Sequence, residues 1–136
     1  MTVKLIKTFN TKVIKNKKGN LLKYISRKDR FYNGFGEIYF NEIKKNNKKG
    51  WTSHRKNNCL IKCLVGKVRF HFIDKKEREL KKILNSNQNK LLKIPPNIWF
   101  CFESLAKKSL VVNLIERPHE DKEVNRSSKI KNYLIK

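Results

Sequence analysis

Apolar and polar residues alternate with a period of two along much of the chain, and long stretches with a 3.6-residue period are scarce. That pattern belongs to half-buried strands rather than amphipathic helices. Gly36–Ile43 is rich in aromatic and branched side chains, with Ile38 and Phe40 on one face. Cys59–Val65 and Val68–Asp74 flank Gly66-Lys67 and read as a hairpin turning there. Further strands are predicted at Leu91–Ile94, Ile98–Phe102 and Leu110–Ile115, with Val3–Phe9 and Lys12–Ile14 as edge strands. The one helix predicted is a short, charged segment at Lys75–Leu84. Pro95-Pro96-Asn97 marks a tight corner, because proline fixes the backbone and cannot donate inside a central ladder. So many short strands in one small domain imply a closed barrel or a two-sheet sandwich, where closure or dimerisation removes exposed edges.

Length and composition narrow the class. A chain of 136 residues with 38% hydrophobic side chains makes one domain with a real core. Only 3 prolines and 5 glycines argue against a disordered or collagen-like chain. No apolar run is long enough to span a membrane, and Met1–Lys7 has no apolar signal region. Cys59, Cys63 and Cys101 match no disulfide framework. The expectation is a cytoplasmic protein with a barrel over residues 1–126 and a basic tail over 127–136. The formal net charge is +23, carried by 27 lysines and 7 arginines among 16 asparagines. Its densest runs, Lys15–Lys18 and Lys44–Lys49, lie between apolar stretches, where loops belong. A nucleic-acid surface would cluster its cations with interleaved aromatics, so solvated loops with a general attraction to phosphates are the preferred reading.

Candidate chemistry is sparse. His54, His71 and His119 are far apart, and there is no His-x-His or Cys-x-x-Cys pair. Cys59 and Cys63 share a strand face but lie too far apart to chelate one ion, so neither metal nor cofactor is expected. No nucleophile elbow and no Gly-rich phosphate loop occurs. Glu37 and Glu42 are possible acids or bases, and Glu37 opens an aromatic-rich strand, which favours a lined cavity. His54, in Lys49-Gly50-Trp51-Thr52-Ser53-His54-Arg55-Lys56, is the most informative residue. It is either a hydrogen-bonded wall residue or a general base, and on a strand Thr52 points to the same side.

The order of these motifs resembles a known family. Gly50 followed by His54, then Gly66, a strand ending in Asp74, and Ile94-Pro95-Pro96-Asn97-Ile98-Trp99 are similar to the small cupins that act on nucleotide sugars. The arrangement resembles the dTDP-4-dehydrorhamnose 3,5-epimerases and, nearly as much, the dTDP-sugar 3,4-ketoisomerases. Gly34–Phe40 resembles the family's early strand, and Glu120–Arg126 its closing segment, with an acidic residue shortly before an arginine. The likeness spans roughly residues 20–126. It implies an all-β, single-domain jelly-roll barrel (a cupin-like double-stranded β-helix), usually a homodimer that exchanges an N-terminal strand. It also implies a thymidine-diphosphate keto-sugar in the barrel mouth and proton removal beside a ketone.

The chain departs from the family where the chemistry resides. Anchoring on Gly50 puts Thr52 where the epimerases carry their basic histidine, and puts Thr52 and His54 at the two positions of the ketoisomerase His-x-His. Lys49 stands for the preceding arginine, Cys59 falls near the epimerase lysine, and Phe100 occupies the place of a histidine after the Pro corner. Lys56 and Phe100 replace the ligands of metal-binding cupins. His54 is left as the candidate base. Arg55, Lys62 and Arg69 are candidate phosphate contacts, although strand alternation forbids all three from facing inward. Glu37, Tyr39, Trp51, Thr52 and Trp99 complete the candidate substrate site, the aromatics as stacking surfaces for a base or sugar, with Phe102 as a further stacking candidate. Three functions follow: an epimerase or ketoisomerase working by an enolate, a noncatalytic cupin binding a nucleotide sugar or related anion, and a basic β-domain binding nucleic acid or protein.

Overall fold

The alternating segments condense into two facing five-stranded sheets. The computed structural model describes residues 2–130 and the backbone of Tyr133 and Leu134. After a 3₁₀ turn at Val3–Leu5 come β1 (Lys7–Asn10), β2 (Val13–Ile14), β3 (Leu21–Leu22), β4 (Glu37–Lys44) and β5 (Lys48–His54). There follow β6 (Cys59–Val65), β7 (Lys67–Ile73), β8 (Glu79–Asn85), β9 (Lys90–Ile94), β10 (Trp99–Ser104) and β11 (Lys108–Ile115). A 3₁₀ turn at Asp121–Glu123 leads into β12 (Val124–Arg126), β13 (Lys129–Ile130) and β14 (Tyr133–Leu134). The first sheet has the order β1-β9-β6-β11-β4 and the second β12-β5-β10-β7-β8. Every neighbouring pair is antiparallel. From β4 to β7 successive strands switch sheets, and again from β8 to β12, which is the jelly-roll arrangement.

Three expectations are corrected. The segments flanking Gly66 are strands, but they do not form a hairpin: β6 belongs to the first sheet and β7 to the second. Gly66 makes the corner at φ +82°, where a Cβ would lie 2.4 Å from Ser109 Oγ and 2.6 Å from the Lys108 carbonyl. The predicted helix at Lys75–Leu84 is a tight turn followed by β8, which pairs with β7 from Glu79 to Asn85. Leu80 and Leu84 share the core-facing side of β8, while Glu79, Lys81 and Ile83 face out, so period two won over a charge pattern suited to either element. Val3–Leu5 is a 3₁₀ turn rather than strand, and its neighbour β1 pairs with β9 of the same chain.

The core lies between the sheets. Val68, Phe70 and Phe72 of β7 pack against Ile61, Cys63, Leu84, Leu92 and Ile94. Burial pushes the thiols of Cys59 up to about 12 and of Cys63 to about 11, which makes them inert packing groups. Tyr24, Ile25, Phe31 and Tyr32 from the long β3–β4 connection cover Leu60, Leu91 and Leu114 on the outside of the first sheet. On the outside of the second sheet, Trp51, Ile73 and Cys101 pack with Trp99 and Ile130. The Trp51 and Ser127 backbones exchange two hydrogen bonds of 3.0 and 3.1 Å there. The start of the expected tail thus runs along the barrel wall, and residues 131–132 and 135–136 lie outside the described residues. Asp74 pins the N-terminus: its carboxylate accepts from the Val3, Lys76 and Arg78 backbones and from Arg78 Nε at 2.8 Å. Burial works to raise the Asp74 pKa, yet these bonds hold it below the usual carboxylate range.

Candidate active site

Where hydrophobic packing stops, the two sheets leave a cavity of about 390 Å³. Its first wall is polar: Glu37, Tyr39 and Asn41 of β4 beside Val111 and Asn113 of β11. The opposite wall carries Thr52 and His54 of β5, Phe100 and Phe102 of β10, and Val124 and Arg126 of β12. His119, on the connection between β11 and β12, closes one side. The register of β10 on β5 shifts between Phe100 and Cys101, and Gly50 allows the close approach there. A Cβ at Gly50 would sit 2.7 Å from the Phe100 carbonyl. Such an irregularity beside a cavity re-aims side chains without breaking the sheet.

His54 is buried and held from several directions. Its Nδ1 lies 3.0 and 3.2 Å from the two carboxylate oxygens of Glu123. Glu123 is also buried, accepts the Asn57 backbone N–H at 2.9 Å, and receives the Arg55 N–H on its own carbonyl at 2.8 Å. A carboxylate can only accept, so Nδ1 carries the proton and Nε2 keeps its lone pair. Burial pushes the His54 pKa below its ordinary value, while the Glu123 carboxylate pulls the other way.

A second polar cluster faces this pair from the first sheet. Asn113 Nδ2 donates to the Tyr39 hydroxyl oxygen at 2.8 Å. Burial pushes the Tyr39 pKa far up, so the phenol stays protonated. Asn113 Oδ1 is buried without a hydrogen-bond partner. The His119 backbone N–H donates to Glu37 Oε2 at 3.2 Å, and its ring Nε2 lies 3.2 Å from Asp121 Oδ1. Among the described residues no three His, Cys, Asp or Glu side chains converge as a metal site.

Of the residues singled out from the sequence, the structure brings Glu37, Tyr39, Thr52, His54 and Phe102 to one cavity. Glu42 pairs with Lys108 outside it, and the other five of the candidate substrate site lie elsewhere. Trp51 and Trp99 pack on the outside of the second sheet, Trp51 edge-on to His71 at 5.3 Å. Lys62 is buried on the outside of the first sheet, its Nζ donating to the Lys23 carbonyl at 3.2 Å. Arg69 points outward and pairs with Glu103 at 3.1 Å. Arg55 lies past the end of β5, beside Arg117 and Lys122 in a separate hollow, and donates to Asn125. All but Arg55 fail on parity: they sit one residue away from inward-facing positions, on the opposite side of the pleat. The sequence reading missed Asn113, His119, Glu123 and Arg126. An asparagine inside the apolar run Leu110–Ile115 was a visible signal, and Glu123 and Arg126 lie within the acidic-before-arginine segment.

Solved structures with this architecture include a dTDP sugar isomerase from Desulfovibrio desulfuricans G20. It aligns with TM-score 0.85 and 26% identity over 92% of this chain and 85% of that one. QdtA, a sugar 3,4-ketoisomerase from Thermoanaerobacterium thermosaccharolyticum solved with TDP, aligns with TM-score 0.82 and 20% identity over 93% of this chain and 90% of that one. A mutant of the same enzyme was solved with TDP-4-keto-6-deoxyglucose. The dTDP-4-dehydrorhamnose 3,5-epimerase from Elizabethkingia anophelis NUHP1 aligns with TM-score 0.78 and 12% identity over 94% of this chain and 78% of that one. No curated protein matches the chain. A two-sheet jelly roll with its polar cavity at β4, β5 and β12 therefore agrees with the family match along the whole chain: the protein belongs to the family described as FdtA: WxcM-like, C-terminal, over residues 2–134.

Proposed function

We propose that this protein is a nucleotide-sugar isomerase of the epimerase and ketoisomerase kind, which takes a dTDP-keto-deoxy sugar through an enolate. The observation that carries the reading is the buried His54–Glu123 pair in the wall of a cavity large enough for a small ligand. With Nδ1 bonded to Glu123 and burial disfavouring the imidazolium, His54 Nε2 is the base for a proton beside the ketone. Tyr39, kept protonated and with its oxygen already accepting from Asn113, has its O–H free for an enolate oxygen. Arg126 is the cavity's cation for a diphosphate, in place of Arg55, Lys62 and Arg69. The complexes of QdtA with TDP and with a TDP-keto-sugar support the ligand class. No cofactor is needed for such a proton shift.

The test is incubation with dTDP-4-keto-6-deoxyglucose in deuterated water, followed by mass analysis. Deuterium gained above a no-enzyme control, and lost in a His54→Gln variant, is the expected result. A protein that melts higher with TDP yet incorporates no deuterium is instead a noncatalytic binder. Thr52 and Phe100, which cannot titrate, are the observation in favour of that second reading. A melting temperature raised by DNA and untouched by TDP removes both readings.

The assembly we propose is a homodimer. Ile38 and Phe40, 44% and 62% exposed, share the outer face of β4, an edge of the first sheet, and Phe35, 64% exposed, lies just before it. An isologous contact between two copies of that surface withdraws it from water. Light scattering that returns a 16.3 kDa particle at micromolar concentration overturns this. A cytoplasmic location fits three unpaired, buried cysteines. Among the described residues, no helix is long and apolar enough to cross a membrane.

A further inference from the structure

We infer that His119 is the second acid–base residue of the cavity, returning a proton to the sugar on the face opposite His54; this rests on the enolate reading above. A reaction that removes a proton from one face of a carbon and restores one from the other needs two titrating groups on opposite walls. Thr52, on the same strand face as His54, cannot titrate, and an imidazole there would in any case share the wall of His54. His119 comes from the connection between β11 and β12, which closes the cavity beside the first sheet. Its backbone N–H is anchored on Glu37 of β4, in the first sheet, whereas His54 belongs to β5 in the second. His119 lines the same cavity, and its ring has its own carboxylate partner, Asp121, at 3.2 Å on Nε2.

The cavity is thus lined by two histidines, each with a carboxylate partner and with opposite surroundings. His54–Glu123 is buried, and burial favours the neutral ring that accepts a proton. His119–Asp121 is open to water, His119 40% and Asp121 95% exposed, so its ring is reached by solvent protons. The remaining titratable lining groups are less suited. Tyr39 holds its proton too tightly to exchange it readily near neutrality, and Glu37 is engaged by the His119 N–H.

The steps balance as follows. His54 Nε2 takes the C–H proton, and the bonding pair becomes the enolate double bond, with negative charge on the former ketone oxygen. The imidazolium of His119 gives its free-nitrogen proton to a carbon of that double bond as the pair returns from oxygen and C=O re-forms. His54 then loses its proton, and neutral His119 regains one, both by exchange with water.

The experiment compares wild type, His54→Gln and His119→Gln with dTDP-4-keto-6-deoxyglucose in deuterated water. It reads two quantities: washout of substrate hydrogen and formation of isomerised product. His54→Gln should lose both. His119→Gln should form product about 10²-fold more slowly, the ordinary share of one acid–base group, while washout stays within about threefold and TDP still raises the melting temperature. Unchanged product formation in His119→Gln overturns the inference and leaves the base assignment standing. So does loss of washout, product and TDP binding together, which marks a structural role. Wild-type protein with neither washout nor product overturns the isomerase reading and this inference with it.

Discussion

Strands β4 and β7 have nearly the same length and the same alternating pattern, yet they use it in opposite senses. β7 turns Val68, Phe70 and Phe72 into the barrel and Arg69 and His71 outward, the arrangement expected of a strand that builds a core. β4 turns Glu37, Tyr39 and Asn41 inward and leaves Ile38 and Phe40 on the outside. β7 is flanked by β10 and β8, whereas β4 is an edge paired only with β11. The difference separates what stabilises this barrel from what equips it. The inner face of β4 is mixed: Ile43 joins the core, while Glu37, Tyr39 and Asn41 present polar groups to the cavity, and Ile38 and Phe40 leave an apolar outer face for the proposed second copy. Local rules broken in this way mark functional sites.

The comparison can be broken at either strand or at His54, which faces the cavity. The largest effect is expected at the cavity: His54→Gln should slow deuterium exchange by about 10²–10⁴-fold with TDP binding little changed. Exchange within tenfold of wild type would make His54 a wall residue. On β7, Phe72→Ala should cost about 3–5 kcal/mol in urea unfolding, because a fully buried aromatic leaves a cavity behind. A loss under 1 kcal/mol there means that the core is not centred on that strand. On β4, Tyr39→Phe should lower exchange by about tenfold, the share of a single neutral donor, and keep stability within about 1 kcal/mol. If Tyr39→Phe instead unfolds the protein, β4 is a core strand after all.

Acidification offers a gentler test. Burial lowers the folded pKa of His54 and likewise of His71, so below about 6.5 the unfolded chain takes up protons that the folded chain refuses. Their contribution to stability is therefore complete above about 6.5 and lost as pH falls toward the folded values, with a slope of at most about 1.4 kcal/mol per pH unit for each ring. Urea midpoints measured from pH 7.5 to 5 should show this slope, and His54→Gln should flatten it. A slope unchanged by that substitution assigns it to other groups. The smallest effect on stability belongs to Phe40→Lys: within about 0.5 kcal/mol for one subunit, with the proposed dimer dissociating. A dimer that survives Phe40→Lys uses another surface.

The legible and illegible parts of this molecule divide along the same line. Strands β6, β7, β9, β10 and β11 follow from alternation and branched side chains, and the jelly roll follows from their number together with the family resemblance. The charges of Lys75–Leu84 fit a helix or a strand, and only the pairing of β8 with β7 makes it a strand. The corner at Gly66 resembles a hairpin turn in any local window, since two strands leaving a glycine look alike whether they pair or part. For the site, the alternation places Thr52 and His54 on one side of a strand, but it does not show that Trp51, Lys62, Arg69 and Trp99 face away from the cavity.

Alternation over two residues is a property of the chain, because successive Cβ atoms must leave a pleated strand on opposite sides. The sequence alone therefore determined that this protein is built of strands, that Thr52 and His54 lie on the same side, and that no other histidine stands near them in the chain. Which side faces the cavity was decided by what lies across from it. His54 meets Glu123 across 69 residues of chain, and His119 is anchored on Glu37 across 82. Those contacts exist only once two sheets close on each other, since no local preference reaches that far.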